Sequence, residues 1–301
     1  MKNESKIAVT SRSFSKNKVL RSILESKYKN VQFNDQGKSL NGDELISFLK
    51  DTEKAIVGLE KFDANILDKL PNLKVISKYG VGLNNLDLKE LKKRNIRLAF
   101  SPGVNKRPVA ELTMLHIFMS LRKVQNSLKN IKDGIWSQEK GNQLSNKTLG
   151  IIGFGNIGRL VYDFLKPFEC NVLIYDIEKI KDKSVLQCSI EDIFKSADIV
   201  TIHLPLLEST QNIVDKRLFN LCKKDLKLIN TSRGGIVNEK DLFSFLKINK
   251  EAFAALDVFE VEPAFDSPLL NLENFYATSH LGSMTEEGII SMGEAAINGL
   301  E

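Results

Sequence analysis

Hydrophobic and polar positions follow two alternating patterns along most of the chain. Short apolar runs, typical of buried parallel strands, are separated by stretches in which apolar residues recur every three or four positions, as in helices. In the first hundred residues the apolar runs cover 7–10, 31–33, 55–58, 74–77 and 96–99, with helical patterns such as 43–50 and 86–94 between them. Because crossover helices connect parallel strands, this alternation predicts a small α/β domain.

Ser101, Pro102 and Gly103 interrupt this series, and Pro108 then opens a long amphipathic pattern over 109–133. We expect that pattern to form one helix at a hinge between two lobes. A second series predicts strands at 148–152, 172–175, 199–203, 226–230, 253–256 and 275–278, followed by a helix at 285–301. The predicted fold class is therefore α/β, with two Rossmann-like, doubly wound parallel-sheet domains and an active-site cleft between them. The pattern alone leaves open which lobe the terminal helix joins.

Composition and charge favour a folded enzyme over a nucleic-acid-binding protein. The chain has 301 residues, of which 42% are hydrophobic and 27% charged, enough for two ordinary cores. Lysine and arginine exceed aspartate and glutamate by 43 to 38, but the basic residues are scattered. The densest basic stretch, with Arg122, Lys123, Lys129 and Lys132, is predicted to lie on the outer face of a helix. We therefore expect no nucleic-acid partner.

Cysteine usage and the absence of long apolar runs bear on location. Cys170, Cys188 and Cys222 form no CxxC pair and have no histidine at metal-ligand spacing, which predicts reduced thiols and no metal site. The N-terminus is polar, and no apolar run approaches the length of a membrane span. We expect a cytoplasmic protein without a membrane partner.

A glycine-rich motif indicates a dinucleotide site. The apolar run 149–152 leads into the sequence GFGNIG at 153–158, and residues 159–165 have helical character. In this context the glycines permit a tight turn, close approach of the pyrophosphate, and packing of helix on strand. Asp176 ends the next strand, 18 residues after Gly158, where a carboxylate would bind ribose hydroxyls and repel a 2′-phosphate. NAD is therefore predicted, and the alternative is a glycine-rich turn in a protein that binds no nucleotide. The predicted cofactor contacts here are Gly153, Gly155, Asn156, Ile157, Gly158 and Asp176.

Three polar residues could serve hydride transfer to a 2-keto acid. Arg233 follows the strand 226–230, where its planar fork could hold a carboxylate. His280 follows the strand 275–278 and could donate a proton near neutral pH. Glu262 also follows a strand, and a carboxylate beside His280 would favour the imidazolium and fix its orientation. Taken singly, Arg233 could be a surface ion pair, Glu262 a solvated loop charge and His280 a capping residue, and spacing alone does not decide.

The remaining histidines are predicted to have other roles. His116 lies on the apolar stripe of the long helical pattern and is expected to be a packed structural residue. His203 ends the strand 199–203 and precedes Pro205, so we expect it in the wall of the cofactor site.

In order along the chain, several segments resemble one family, the D-isomer-specific 2-hydroxyacid dehydrogenases, and within it most of all the phosphoglycerate dehydrogenase branch. The matching segments are KYGVG at 78–82 with NNLD at 84–87, SPGVN at 101–105 with VAEL at 109–112, the glycine motif beginning at Gly150, HLPL at 203–206, INTSRGG at 229–235, ALDVF at 255–259 with Glu262 and Pro263, and SHLG at 279–282. The resemblance covers nearly the whole chain. It implies an NAD-dependent oxidoreductase acting on the CH–OH group of a small D-2-hydroxy acid or on the matching 2-keto acid.

The resemblance also implies roles for individual residues. Arg233 would bind the substrate carboxylate and carbonyl, and Glu262 would support His280 as the acid and base. The amides of Val81 and Gly82 would face the carboxylate, and Asn105 would line the substrate cleft. Asp257 would contact the nicotinamide amide, and the cofactor-binding set would further include His203, Pro205, Thr231 and Gly282.

For the domains, the resemblance implies that residues 1–100 and the returning helix 285–301 bind substrate. Residues 101–284 would then form the NAD-binding domain, and the protein would be a homodimer built through it. We also expect no C-terminal regulatory domain.

A departure from the family pattern leaves the substrate undecided, and two other functions are alternatives. The segment GLEKF at 58–62 offers Lys61 as the only nearby cation, so a phosphorylated substrate such as 3-phosphoglycerate does not follow, and hydroxypyruvate or glyoxylate is the alternative. Formate dehydrogenases resemble this family but carry glutamine where this chain has Glu262, and this difference argues against formate dehydrogenase activity. A non-catalytic NAD-sensing scaffold or corepressor is the rival from another class, because a fold and a cofactor do not fix a function.

Overall fold

The computed structural model describes residues 2–301 and divides into two compact units. The first unit comprises the chain up to Asn105 together with Met284–Glu301. The second unit comprises Lys106–Ser283.

The first unit is built on a five-stranded parallel sheet with the order β2-β1-β3-β4-β5. Its strands are β1 (Asn3–Val9), β2 (Tyr28–Phe33), β3 (Lys54–Val57), β4 (Val75–Lys78) and β5 (Arg97–Ala99). Its helices are α1 (Arg12–Lys16), α2 (Lys18–Lys27), α3 (Gly42–Leu49), α4 (Ala64–Asp68), α5 (Leu88–Lys93) and the C-terminal helix α12 (Glu286–Asn298). The strand order reverses direction between β1 and β3, which makes that position the topological switch point of the sheet.

Two hydrophobic layers cover this sheet. Helices α2 and α12 contribute Leu20, Leu24 and Ile297 to one buried cluster, and α3 to α5 contribute residues such as Leu45 to a second. The Ser77 hydroxyl donates to Ala296 O at 2.6 Å, so a buried hydrogen bond joins β4 to α12. The C-terminal helix is therefore part of the first unit.

The second unit is built on a seven-stranded parallel sheet with the order β12-β11-β10-β9-β6-β7-β8. Its strands are β6 (Thr148–Ile152), β7 (Asn171–Tyr175), β8 (Leu186–Gln187), β9 (Ile199–Ile202), β10 (Lys227–Asn230), β11 (Phe253–Leu256) and β12 (Phe275–Ala277). Its helices are α6 (Lys106–Arg122), α7 (Val124–Lys132), α8 (Asn156–Leu165), α9 (Ile190–Ser196), α10 (Lys216–Phe219) and α11 (Glu239–Ile248), with 3₁₀ turns at Lys166–Phe168 and Pro268–Asn271. The predicted fold class, α/β with two parallel-sheet domains, is confirmed.

The predicted single helix over 109–133 is wrong, because the structure forms two helices, α6 and α7. Lys123 separates them in a left-handed conformation, with φ 51° and ψ 38°. Instead of continuing the helical ladder, Leu121 O accepts a hydrogen bond from Asn142 N at 2.8 Å. The segment around Gly141 thus lies against the end of α6, a long-range contact that helical periodicity does not encode.

No helix among residues 2–301 combines the length and the apolar character that a membrane crossing needs. The three cysteines carry no disulfide.

Candidate active site

The loop between β6 and α8 is shaped by glycines. Gly153 has a φ of +96°, and a Cβ at this position would lie 2.8 Å from His203 O. A Cβ on Gly158 would lie 2.0 Å from Gly153 O, so α8 can begin this close to the strand only with glycine there. At Gly155, by contrast, nothing lies within 4 Å of the Cβ position. The loop therefore leaves open space at the N-terminus of α8, which fits the close approach of a pyrophosphate.

Asp176 follows β7 and holds this loop in place. Its Oδ2 accepts from Phe154 N at 2.6 Å, and its Oδ1 accepts from Glu178 N at 2.9 Å. A carboxylate has about four acceptor positions, so two remain for ribose hydroxyls. The sequence predicted that Asp176 binds ribose hydroxyls, but it did not predict that its carboxylate holds the loop.

The turn after β10 positions Arg233. Asn230 Oδ1 accepts from Ser232 N at 3.0 Å and from Ser232 Oγ at 2.7 Å, while its Nδ2 donates to Arg233 O at 2.9 Å. The Arg233 Nη1 donates to Ser232 O at 2.6 Å. Burial lowers the pKa of Arg233 and the charge of Glu262 raises it, but a guanidinium stays charged at physiological pH. A partly buried cation with donors to spare suits an anionic ligand.

Glu262 and His280 form a hydrogen-bonded pair. His280 Nδ1 lies 2.9 Å from Glu262 Oε2, and Glu262 Oε1 accepts from Phe259 N at 3.0 Å. Because an ionised carboxylate can only accept, Nδ1 carries a proton and Nε2 is left for a ligand. The His280 side chain is 48% exposed, and its φ is 57°. Such a backbone conformation is uncommon outside glycine and tends to occur at functional sites.

Asp257 anchors the loop that carries His280. Its Oδ1 accepts from Thr278 Oγ1 at 2.5 Å and from Leu281 N at 2.7 Å, and its Oδ2 accepts from Gly282 N at 2.8 Å. The backbone N–H of His280 donates to Asp257 O at 3.0 Å. A fully buried carboxylate with three donors thus fixes both sides of His280. No pattern in the sequence indicated Thr278 or this anchoring role of Asp257.

A close backbone contact joins the Arg233 turn to the Glu262 loop. A Cβ on Gly234 would lie 1.8 Å from Phe259 O and 2.5 Å from Glu260 N, so only glycine allows this approach. Glu239 Oε1 accepts from Glu260 N at 2.6 Å, and burial raises the pKa of Glu239. Sequence reasoning missed Glu239, because it lies on α11, far along the chain from the loop that it holds.

Comparison with known proteins identifies the family. Residues 114–282 match the family model of the D-isomer specific 2-hydroxyacid dehydrogenase NAD binding domain. This chain belongs to that family. Its members are NAD-dependent oxidoreductases that act on CH–OH donors, which confirms the predicted enzyme class, the cofactor and the resemblance.

Individual relatives of this dehydrogenase differ in substrate and length. It is 35% identical over 255 residues to a hydroxypyruvate reductase of Thermotoga maritima, covering 82% of this chain and 83% of the relative. It is 37% identical over 256 residues to a D-3-phosphoglycerate dehydrogenase of Methanocaldococcus jannaschii, covering 82% of this chain and 49% of the relative. The chain thus spans about half the length of that phosphoglycerate dehydrogenase.

A solved structure agrees with the fold. The crystal structure of NAD⁺-bound 3-phosphoglycerate dehydrogenase of Entamoeba histolytica superposes with a TM-score of 0.83 at 26% identity. The match covers 98% of this chain and 94% of the other.

Two further histidines of the dehydrogenase are neutral. Burial lowers the pKa of His203 to about 3, and Thr201 Oγ1 lies 3.0 Å from its Nε2. Burial also lowers the pKa of His116 to about 4, against a smaller opposite effect of Asp257. His116 is fully buried and packs edge-on against Tyr276, which confirms its predicted structural role. Neither ring is suited to donate a proton at neutral pH.

The other predicted positions of the dehydrogenase lie in both units. Thr231 is buried, with its Oγ1 2.7 Å from Thr113 Oγ1, and Pro205 is exposed in the loop after β9. Val81 and Gly82 lie in the loop after β4, and Asn105 is buried; all three belong to the first unit. The structure therefore brings Arg233, Glu262, His280 and Asp257 together within the second unit. Among residues 2–301, no three side chains form a candidate metal-ligand group.

Proposed function

We propose that this dehydrogenase transfers a hydride between NAD(H) and C2 of a small D-2-hydroxy acid or 2-keto acid. The observation that carries the proposal is the 2.9 Å contact between His280 Nδ1 and Glu262 Oε2. Burial lowers the pKa of the neighbouring Arg233, and the charge of Glu262 acts in the opposite direction. A proton donor, its orienting carboxylate and an anion-binding cation are what reduction of a keto acid requires.

The second unit is proposed to hold the cofactor. Bound NAD(H) supplies or accepts the hydride. Asp176, with two acceptor positions unused, would bind the ribose hydroxyls and disfavour a 2′-phosphate. The proposed contacts are Gly153, Gly155, Asn156, Ile157, Gly158, Asp176, His203, Pro205, Thr231, Asp257 and Gly282.

His280 is proposed as the acid and base. With Nδ1 held by Glu262, the Nε2–H of the imidazolium donates its proton to the carbonyl oxygen as that oxygen gains negative charge. In the oxidative direction the neutral ring accepts the hydroxyl proton at the same atom. Asp257 keeps the ring in position by fixing the backbone on both sides of it.

Arg233 is proposed to hold the substrate carboxylate. Its fork can form two parallel hydrogen bonds to a carboxylate, which sets the orientation of C2. We assign substrate binding to the first unit as well, with the Val81 and Gly82 amides and Asn105 as its contacts.

The test is consumption of NADH with hydroxypyruvate, 3-phosphohydroxypyruvate and glyoxylate. We expect His280→Ala to lose roughly 10²- to 10⁴-fold in kcat while the Kd for NADH stays within about threefold. Arg233→Lys keeps the charge but loses the fork, so it should raise KM for the keto acid. An unchanged KM would contradict the carboxylate role, and a loss of NADH affinity equal to the rate loss would contradict the role of His280. NADH binding without turnover on any acid would favour a sensor or corepressor.

We further propose that the dehydrogenase is a homodimer. Helix α7 buries none of its residues, and Leu128, Ile131, Ile135 and Trp136, on α7 and just after it, are exposed. An exposed apolar patch of this kind marks an interaction surface. Light scattering should give twice the mass of one chain, and Ile131→Glu with Trp136→Ser should reduce it to one; a monomeric parent protein would contradict the proposal.

A cytoplasmic location is proposed because the unpaired thiols suit a reducing compartment. Cell fractionation tests it, and recovery of the protein outside the cytoplasmic fraction would contradict it.

A further inference from the structure

A cavity of about 640 Å³ opens in the second unit, at the edge of the sheet where its strands begin. It is lined by the starts of β10 and β11, the residues before β11 and β12, the end of α6 and the start of α7. The glycine loop, Arg233 and His280 each follow a strand, so they lie at the opposite edge of this parallel sheet. A ligand of this cavity would therefore be neither the cofactor nor the keto acid.

A buried lysine at the first position of β10 lines the cavity. Lys227 is 8% exposed, and its Nζ donates to Glu251 O. No carboxylate of residues 2–301 lies within 4 Å of this ammonium, which has three donors. Burial lowers the pKa of Lys227, and the charges of Asp225 and Glu251 raise it to a lesser extent. Because a buried charge without a counter-ion is unfavourable, an anion in the cavity would stabilise it.

Two further cations line the cavity, and neither is firmly paired. Lys123 Nζ lies 3.7 Å from Glu251 Oε2 and 3.9 Å from Glu139 Oε2, too far for a hydrogen bond to either. The side chain of Lys250 is exposed and forms no ion pair or hydrogen bond within the described part of the chain. The side chains of the lining carboxylates Glu251 and Glu273 are 74% and 85% exposed, against 31% for Lys123. The positive charge thus lies deeper than the negative charge, which suits a ligand with more than one negative charge.

The start of α7 adds free donors and one unused acceptor. This helix has no capping side chain and no acidic residue in its first turn, so its first amides are available to an anion. Gln125 Nε2 donates to Asn126 Oδ1 at 3.2 Å, whereas Gln125 Oε1 is buried and accepts no hydrogen bond from residues 2–301. A buried acceptor is unfavourable until a donor reaches it. A hydroxyl beside the anionic group of a ligand would supply that donor.

The floor of the cavity is fixed by the buried side chain of Asn274. Its Nδ2 donates to Leu246 O at 3.0 Å, to Asn249 O at 3.1 Å and to Ala252 O at 3.0 Å. These bonds tie the residues before β12 to those before β11. The floor therefore needs little ordering when a ligand binds, and the volume is in the range of small-molecule sites.

We propose that this cavity binds a small phosphate-bearing ligand, either inorganic phosphate or the phosphate monoester of a hydroxylated compound. Lys227, Lys123 and the first amides of α7 hold the phosphate oxygens, and Lys250 adds charge at the rim. Phosphate suits them because it carries about two negative charges near pH 7. A hydroxyl of the ligand, on phosphorus or on the alcohol part of the ester, donates to Gln125 Oε1. The inference does not rest on the proposed function, because the cavity shares no residue with the assigned cofactor and substrate contacts.

The experiment is a calorimetric titration of the full protein with inorganic phosphate and with glycerol 3-phosphate. It is done at constant ionic strength and with saturating NAD⁺, which occupies the glycine loop, the other place where phosphate oxygens are expected to bind. Lys227→Met removes the buried charge and keeps an unbranched side chain of similar size. Lys195→Met removes an exposed cation of α9, outside the cavity lining, and is the matched control.

We expect at least one probe to bind, and Lys227→Met to raise its Kd roughly ten- to hundredfold. Lys250→Met should raise the Kd by about two- to fivefold, because its charge is exposed, and Lys195→Met should leave it unchanged. Tighter binding of glycerol 3-phosphate identifies an ester as the ligand, and equal or tighter binding of inorganic phosphate identifies the free ion. No binding of either probe, or binding that survives Lys227→Met, would overturn the inference.

Thermal unfolding of the same samples separates loss of the site from loss of the fold. Replacing a buried charge without a counter-ion by an apolar side chain of similar size is neutral or stabilising, so Lys227→Met without phosphate should melt at or above the temperature of the parent protein. Phosphate should then raise the melting temperature of the parent but not of the variant, and equal increases would overturn the inference. Failure to turn over any keto acid would contradict the proposed function and leave these binding results unaffected.

Discussion

Replacing Gly234 with alanine tests whether the backbone contact between two loops sets the geometry of the active site. The added Cβ would lie 1.8 Å from Phe259 O, and contacts under 3.0 Å are essentially never seen, so the loops must separate by about 1.2 Å. Gly234 is not in the left-handed region, so alanine adds no backbone strain of its own. The effect therefore comes from the displacement of Arg233 relative to Glu262 and His280.

The magnitude follows from the displacement. A misplacement of about 1 Å between reacting groups costs on the order of 10²-fold in rate. We expect Gly234→Ala to lose about that factor in kcat/KM for the keto acid, and about 1–3 kcal/mol in the free energy of unfolding. The glycine loop at 153–158 lies elsewhere along the sheet edge, so the Kd for NADH should change by less than about threefold.

The assay is steady-state NADH consumption, with NADH fluorescence titration and urea unfolding on the same samples. Gly42→Ala is the matched control, because Gly42 has a φ of +49° and nothing within 4 Å of its Cβ position. That variant should lose about 1 kcal/mol of stability through backbone strain alone and keep its rate. If Gly234→Ala is folded and retains its kcat/KM within about threefold, the two loops do not set the geometry, and the reasoning is refuted.

Two further predictions concern pH and cofactor choice. The folded-state pKa of about 3 for His203 and about 4 for His116 lie below the ordinary value of 6.5, so the unfolded chain binds protons that the folded chain does not. Stability is therefore retained above about pH 7 and lost as the pH falls from 6.5 toward 4, by about 2 kcal/mol per histidine at pH 5. Urea unfolding at pH 7 and pH 5 should show this loss, and His116→Asn should reduce it by about half; an equal loss in the variant would contradict the prediction. Asp176→Asn keeps an acceptor for Phe154 N but removes the charge, so the ratio of NADP to NAD in kcat/KM should rise at least about tenfold, and an unchanged ratio would show that the carboxylate does not exclude the 2′-phosphate.

The sequence predicted the features that local patterns encode. The strand at 148–152, the glycine turn and the acidic residue at 176 lie within 30 residues of one another, and each has its own physical requirement for residue type. The division of helix α6 from α7 was missed because it depends on a contact near Gly141, not on a glycine or proline at the break. Hydrophobic periodicity shows which face of a helix is apolar. It does not show where a distant segment binds a backbone carbonyl that would otherwise accept a hydrogen bond within the helix.

The sequence indicated which residues of the proposed site carry out the chemistry, but not which residues hold them in position. Each of the three candidate catalytic residues follows a strand, so their positions in the sequence could identify them as candidates; they are Arg233, Glu262 and His280. Asp257, Thr278 and Glu239 hold those residues through hydrogen bonds across 21 to 25 positions of sequence, and no local signal marks such pairs.

The proposed catalytic residues are held in place by hydrogen bonds of the protein itself. In the second unit, Asp257 accepts three hydrogen bonds, Glu262 accepts two, and the turn before Arg233 is closed by Asn230. Groups already fixed by the fold suit a step that needs the same geometry for every substrate. The hydride step is therefore expected to depend on the second unit in the same way for every keto acid that the enzyme accepts.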